Sequence, residues 1–206
     1  MQICGIDDAG RGSMLGPLVI AGISLDKRKL RKLSSLGVKD SKKLAPKSRE
    51  ILYKEIIKLV DSYYITKISP RIIDASVKNH CLNGLEAKYM AKVVSKLNAD
   101  TSYVDSCDVN PNRFGKEISQ LSNNHKIKSY HHADSRFVVV SAASILAKVS
   151  RDKAIAKLRK NHDLGSGYPS DSVTVTFVRK YYQINKSMPS FVRKSWKPVQ
   201  KIILKS

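Results

Sequence analysis

The order of patterns along the chain predicts an α/β fold: a five-stranded sheet flanked by helices, followed by a helical C-terminal part. Three observations carry this. Short β-branched or alternating stretches open the chain and recur through residue 130. Longer stretches with apolar residues at helical spacing separate them. After residue 138 the helical patterns dominate. Strands early and helices late, with no internal repeat and no low-complexity linker, fit one layered α/β architecture.

The first strand is carried by Ile3, Cys4 and Ile6, the second by Pro17-Leu-Val-Ile-Ala-Gly22. Asp26 to Leu33 reads as a short basic helical segment, and Gly37 to Leu44 as a polar loop. Pro46 suits the first turn of a helix. Ile51, Leu52, Ile56, Leu59 and Val60 then form one apolar stripe. Tyr63 to Ile68 alternates as a third strand, broken by Ser69-Pro70. Leu82, Leu85, Tyr89, Val93, Val94 and Leu97 keep helical spacing over four turns. Tyr103-Val-Asp105 is a short fourth strand with a turn at Asp108, Asn110 and Pro111. A helix over 112–121 and a fifth strand from Lys126 to Tyr130 follow. Val138 to Asp163 reads as one long helix. Its small residues, Ser-Ala-Ala-Ser from 141 to 144, would let it lie close to the sheet. Gly165, Gly167 and Pro169 break the chain before a basic helix over Val173 to Gln183 and a cationic tail that is helical in part.

At 206 residues, with 42% hydrophobic content, the chain is long enough to bury a sizeable core. No run of 18 apolar residues and no signal-like N-terminus occurs, so a soluble, cytoplasmic protein without membrane contact is expected. Cys4, Cys81 and Cys107 are odd in number and show no C-x-x-C spacing, against a disulfide framework or a zinc ribbon. Lys and Arg number 38 against 17 Asp and Glu, a net charge of +21. That excess points to a polyanion, nucleic acid first. From Ser172 to Ser206 there is no acid at all. Arg179, Lys180, Lys186, Arg193, Lys194, Lys197, Lys201 and Lys205 alternate there with Tyr181, Tyr182, Phe191 and Trp196. Such interleaving suits backbone phosphates plus stacking, although the aromatics by themselves are more often core.

The chemistry is concentrated in Gly5-Ile-Asp-Asp-Ala-Gly-Arg-Gly12. Two adjacent carboxylates at the end of a buried strand are costly unless a cation neutralises them. Glycines beside them let the backbone approach a ligand. A tight hairpin with two solvated aspartates fits the loop alone equally well. Gly10, Gly12 and Gly16 loosely match a dinucleotide-binding turn. That turn should open a helix facing phosphate, and here it opens a β-branched run behind Pro17. Asp105 and Asp134 each stand where a strand gives way to a loop ahead of a helix. If the first and fourth strands are parallel neighbours, Asp7 and Asp105 meet at one edge, and Asp8 and Asp134 close the cluster. Four hard oxygen donors suit Mg²⁺ or Mn²⁺ rather than zinc. Any one of these aspartates taken alone is more often a cap or a surface charge.

Gly5 to Gly12 followed by Gly16-Pro-Leu-Val-Ile-Ala-Gly22 resembles the opening of ribonuclease HII, the type 2 ribonuclease H family, in its archaeal-like single-chain form. Tyr103-Val-Asp-Ser-Cys-Asp-Val-Asn-Pro111, His132-Ala-Asp-Ser-Arg136, Val139 to Lys148 and Arg151-Asp152 resemble its later motifs, in the right order over nearly the whole chain. One position departs: the family usually has Glu where this chain has Asp8. The resemblance implies a ribonuclease H-like fold with a mixed sheet, a catalytic domain over 1–165 and a basic helical segment over 166–206 that binds substrate. It carries four catalytic, metal-holding acids onto Asp7, Asp8, Asp105 and Asp134, with Mg²⁺ or Mn²⁺ in a two-metal site.

It also implies that Gly10-Arg11-Gly12 senses a 2′-OH, that Lys42 and Lys43 bind phosphate, and that Tyr168 stacks on the deoxyribose after the ribonucleotide. Read from the residues alone, Arg11 is a partner for Asp7 or Asp8, the lysines are a solvated pair, and Tyr168 is part of an ordinary turn. The implied activity is hydrolysis of the RNA strand of RNA–DNA hybrids and cutting 5′ of single ribonucleotides in duplex DNA, by a monomer. A non-catalytic nucleic-acid binder and another metal nuclease of the same fold are the rival readings. Asp8, one methylene shorter than Glu, bears on metal preference. His125, His131 and His132 lack ligand spacing, and Cys107 beside the acids suits a small buried residue better than a nucleophile. Gln200-Lys-Ile-Ile203 matches half of a sliding-clamp-binding peptide, without the two aromatics that should follow.

Overall fold

A computed structural model describes residues 1–38, 45–124 and 126–204. The strands are β1 (Gln2–Ala9), β2 (Leu18–Asp26), β3 (Ser62–Ile68), β4 (Thr101–Asp105) and β5 (Ile127–Tyr130). The helices are α1 (Leu30–Ser35), α2 (Pro46–Leu59), α3 (Pro70–Lys78), α4 (Leu82–Leu97), α5 (Pro111–Ser122), α6 (Ala133–Arg136), α7 (Val138–Arg159), α8 (Ser172–Asn185) and α9 (Lys197–Leu204). Lys42, Lys43, His125 and Lys205 lie outside the described residues.

The chain divides into two compact units. The first comprises Met1–Ala9, Val19–Thr66 and Asn83–Ser150; the second comprises Gly10–Leu18, Lys67–Leu82 and Arg151–Ser206. The 165/166 boundary read from the sequence falls inside the second unit.

The first unit is built on a mixed sheet in the order β3-β2-β1-β4-β5. β1 pairs antiparallel with β2 and parallel with β4, and β4 pairs parallel with β5. β1 is central and almost wholly buried, which explains its near-continuous apolar run. Glycine is required at Gly5: a Cβ there would lie 2.2 Å from the Val139 carbonyl carbon. Its absence lets α7 rest directly on β1. The core gathers Ile3, Val19, Ile23 and Leu25 with Val140, Ala143, Ile145 and Leu146 of α7.

The second unit has its own core of Met14, Leu15, Ile155, Leu164, Val178, Val192, Val199 and Ile202. Phe177, Phe191 and Trp196 pack against it. The tail is stitched to the glycine loop by backbone bonds. Gly16 N donates to Phe191 O (2.8 Å), and Arg193 N donates to Met14 O (2.9 Å). Asp74 of α3 accepts from Lys194 N (3.0 Å), Ser195 N (2.9 Å) and Ser195 Oγ (2.6 Å).

Four readings of the sequence need correction. Ser69-Pro70 does more than end β3: Pro70 stands in the first turn of α3, where its missing N–H costs nothing. His132-Ala-Asp-Ser-Arg136 contains the short helix α6, and α7 stops at Arg159 rather than Asp163. In the tail, Phe191 and Trp196 pack half-buried against the second core, the reading the sequence keeps open beside stacking. Arg193 is fully buried, so it is not a phosphate contact. Its Nε donates to Gly16 O (3.2 Å) and its Nη1 to Arg11 O (2.8 Å), with the guanidinium 5.0 Å from the Trp196 ring. Among the described residues, no helix is long and apolar enough to cross a membrane.

Candidate active site

The parallel registers of the first unit assemble three of the four acids. Ile6 pairs with Val104, so Asp7 and Asp105 are the next residues along adjacent parallel strands. Asp105 in turn pairs with Tyr130, the last residue of β5. Two residues later the chain turns at His132, whose φ of 53° is left-handed. The Asp105 Oδ1 accepts from Ala133 N at 2.5 Å, which pins the start of α6 to the end of β4. Asp134 follows in the first turn of α6. The acids therefore gather at the carboxyl ends of neighbouring parallel strands, where open α/β sheets place their ligands.

Electrostatics show that the other two act on Asp7. Asp7 is only 5% exposed, and burial pushes its carboxyl well above the ordinary carboxylate range. The negative charges of Asp105 and then Asp134 push it the same way, against the Asp8 N–H, which donates to Asp7 Oδ1 at 2.7 Å. Ser144, fully buried on α7, faces the same carboxyl without closing a hydrogen bond of ordinary length. Nothing in the sequence marks Ser144's place, because it sits in a stretch of small residues that reads as packing.

Asp8 stands differently. It is half-buried, and what reaches Asp7 from it is its peptide N–H. Successive side chains of a strand leave on opposite faces, so Asp8 does not duplicate Asp7. Asp108, three residues beyond Asp105, is engaged elsewhere. It accepts from Arg113 Nη2 (2.6 Å), Asn110 N (2.8 Å) and Asn83 Nδ2 (3.0 Å). Those bonds, the Asn110 N–H first and the Arg113 guanidinium next, hold its pKa down to about 2. Cys107 donates to the buried Glu86 (2.9 Å), and His131 Nε2 lies 3.3 Å from Val109 O.

The donor set suits a hard divalent cation. Three mutually repelling carboxylates on one sheet edge offer oxygen and no thiolate. Among the described residues, no three or more His, Cys, Asp or Glu side chains stand close enough to form a ready-made cage. That spacing is compatible with Mg²⁺, which keeps several waters and is held by one or two carboxylates together with substrate phosphates rather than by an all-protein shell.

The second unit carries the loop that leaves β1 directly after the paired acids. Gly10 has φ of 88°, which only glycine adopts without strain. Gly12 is exposed and has a negative φ, and a Cβ on it would meet nothing within 4 Å. Nothing inside the described chain demands glycine there. Arg11 is half-buried. Tyr168 is half-buried in the turn before α8, with the Arg151 guanidinium 4.2 Å from its ring centre. Arg179, Lys180, Lys186, Lys194, Lys197 and Lys201 are exposed.

A five-stranded mixed sheet in this order, flanked by helices, defines a protein of the ribonuclease H-like fold class. A family model described as Ribonuclease HII matches residues 4–199. A ribonuclease HII from Cenarchaeum symbiosum is 58% identical over 202 residues, covering 98% of each chain. The crystal structure of the ribonuclease H2 from Pyrococcus horikoshii superposes with a TM-score of 0.93 at 39% identity, over all of this chain and 98% of that one. An RNase HII from Archaeoglobus fulgidus, solved in complex with PCNA, gives 0.89 at 37% identity, covering 97% and 96%. The chain belongs to the ribonuclease HII family. It is a metal-dependent endoribonuclease with ribonuclease H activity on RNA–DNA hybrids.

Proposed function

We propose that the chain, as a monomer, also cuts on the 5′ side of a single ribonucleotide embedded in duplex DNA, by two-metal catalysis at Asp7, Asp8, Asp105 and Asp134. The observation that carries this reading is the Asp7 carboxyl, buried and pressed by the charges of Asp105 and Asp134. Such an arrangement is stable as a set of anions only with cations between them. Mg²⁺ or Mn²⁺ bound there would supply an activated water and stabilise the leaving 3′ oxygen. The bond between phosphorus and that oxygen breaks, leaving a 3′-OH and a 5′-phosphate.

The remaining roles fall to the chain itself. Asp7, Asp105 and Asp134 hold position through the strand ends and the Ala133 N–H. The Gly10-Arg11-Gly12 peptides read the ribose 2′-OH, which both donates and accepts and marks RNA against DNA. Gly12 supports this: its open surroundings leave room for substrate where a side chain would intrude. Tyr168 stacks on the sugar that follows. Lys42, Lys43 and the exposed basic residues of α8 and the tail hold phosphates. A sliding-clamp contact through the C-terminal tail belongs to the same reading. It is supported by the PCNA complex of the Archaeoglobus relative and by the exposure of Gln200. Against it stands Ile203, packed on the second core.

The test is a set of three duplexes: one with a single ribonucleotide, its all-DNA twin, and a long RNA–DNA hybrid. Each is incubated with Mg²⁺ and then with Mn²⁺. Cutting of the first and third, and none of the second, is expected. Cutting of the hybrid alone would remove the junction activity, and cutting of the all-DNA twin would remove 2′-OH recognition.

A further inference from the structure

Arg151 is a cation only 4% exposed, on the part of α7 that belongs to the second unit. Among the described residues its ion-pair contact is long: Nη1 lies 3.4 Å from Asp152, itself well exposed. Burying a charge so thinly paired is expensive, and a methionine of similar length would fill the space without that penalty. What the guanidinium does instead is hold two loops at once. Its Nη2 donates to Ser13 Oγ at 3.0 Å and to Ser166 O at 2.6 Å. Its plane lies against the Tyr168 ring, 4.2 Å from the centre. Ser13 follows Gly10-Arg11-Gly12 and closes that turn with its N–H on Gly10 O (3.2 Å). Ser166 begins the turn that presents Tyr168.

The two loops also meet directly. The Gly167 carbonyl accepts from Met14 N (2.7 Å), Leu15 N (3.2 Å) and Ser13 Oγ (2.8 Å). Both glycines are shaped around the arginine. A Cβ at Gly10 would lie 3.2 Å from Arg151 Nε, and one at Gly167 would lie 2.9 Å from Nη2. A lysine offers one point charge and no plane, so it cannot bridge a hydroxyl and a carbonyl while stacking on a ring.

We infer that Arg151 is a positioning residue that joins the glycine loop and Tyr168 into one recognition element, and that selection of the single-ribonucleotide junction over a long hybrid depends on it. This rests on the proposed roles of the loop and of Tyr168. A long hybrid offers many registers and tolerates a loosened element. A lone ribonucleotide offers one.

The experiment is a double-mutant cycle. KM and kcat are measured for the wild type, Arg151→Lys, Tyr168→Ala and the double variant on both substrates. Arg151→Lys should raise KM on the single-ribonucleotide duplex about tenfold and on the long hybrid about twofold or less. In the Tyr168→Ala background the same change should add about twofold or less, a coupling typical of contacting groups. Fully additive effects would overturn the inference, as would an equal loss on both substrates from Arg151→Lys, which a merely structural arginine would give. If Tyr168→Ala itself harms both substrates equally, the proposed role of Tyr168 fails, while the cycle still reports whether the two side chains act as one. Should Arg151→Lys not fold, Ser13→Ala removes the loop end of the same bridge. It should shift selectivity toward the hybrid by about threefold, and unchanged selectivity would overturn the inference.

Discussion

The carboxyl ends of β1 and β4 and the glycine loop of the second unit handle buried charge in opposite ways. At the strand ends, Asp7, Asp105 and Asp134 share one sign, and the charges of the last two raise the cost of ionising Asp7. Around the loop, the two buried arginines are met by oxygens: Arg193 by the carbonyls of Arg11 and Gly16, Arg151 by Ser13 and Ser166. Unbalanced charge marks the place where the protein waits for something to bind. A buried charge whose N–H groups donate to loop oxygens marks the framework that holds a loop in shape. Asp108 makes the contrast within a single turn of chain, since its Arg113 and Asn110 partners turn it into a structural acid.

The sharpest way to break this contrast is to neutralise one member of the repelling set. Asp7→Asn should lower kcat by at least about a thousandfold, and Asp105→Asn should do the same. Hybrid binding should stay within about twofold if, as proposed, lysines rather than the acids hold phosphates. The metal-free Asp7→Asn protein should also melt higher than the metal-free wild type, since a buried charge is gone. Near-normal turnover at saturating Mg²⁺ would remove Asp7 from the site. A lower melting temperature would show that Asp7 is a structural acid like Asp108.

On the balanced side, Arg193→Met should cost about 3 kcal/mol of stability, because two buried carbonyls lose their donor. A denaturant titration measures this. The log–log salt slope of substrate binding should stay unchanged, as a buried arginine releases no counterion. Lys194→Ala or Lys197→Ala should instead leave stability alone and reduce that slope by about 0.9 each on B-form DNA. An Arg193 variant that flattened the slope would put the arginine on the substrate after all.

These two sides differ in how far the sequence reveals them. Asp7 and Asp8 are visible because paired acids ending an apolar strand have few innocent uses. Asp105 and Asp134 are visible as strand-end acids, but their meeting with Asp7 depends on the β1–β4 register, which lies 98 residues apart in the chain at Ile6↔Val104. Helix α3 was hidden by Pro70, which reads as a breaker and serves as a first-turn residue. Arg193 was hidden more deeply. In an acid-free tail every cation looks solvated, and only tertiary packing shows that Arg193, among the described residues, is buried at the back of the glycine loop. Ser144 and Arg151 share that reason: they gain meaning from what the helix α7 is laid against.

Asp8 sharpens the comparison from inside the acid set. The longer arm of Asp8→Glu should keep activity and raise it in Mg²⁺ by severalfold at most. Mg²⁺ demands a near-ideal octahedron, and Mn²⁺ tolerates looser geometry. The wild type should therefore gain more from Mn²⁺ than Asp8→Glu does, in initial rates on one substrate. Asp8→Asn should fall close to the Asp7→Asn level. Full activity in Asp8→Asn would leave three acids to do the chemistry.

The smallest effect is expected at Asp171, the balanced acid of the second unit. Its Oδ2 accepts from Ser166 N (2.5 Å) and Thr174 Oγ1 (3.1 Å), and its Oδ1 caps α8 through Val173 N (3.0 Å). These bonds, with Ser166 foremost, hold its pKa down to about 2, against about 4 in an unfolded chain. A depressed folded pKa means that the charge stabilises the fold above about pH 4 and that this contribution is lost as pH falls through about 2. Asp171→Asn keeps the shape but carries no charge. After discounting for a half-exposed side chain, it should be about 1 kcal/mol less stable at pH 7. Paired denaturant melts should show that gap holding from pH 7 to about 5 and closing between about 4 and 2, while the other carboxylates cancel between the two proteins. A gap that stayed constant down to pH 2 would mean that Asp171 holds the Tyr168 turn by shape alone.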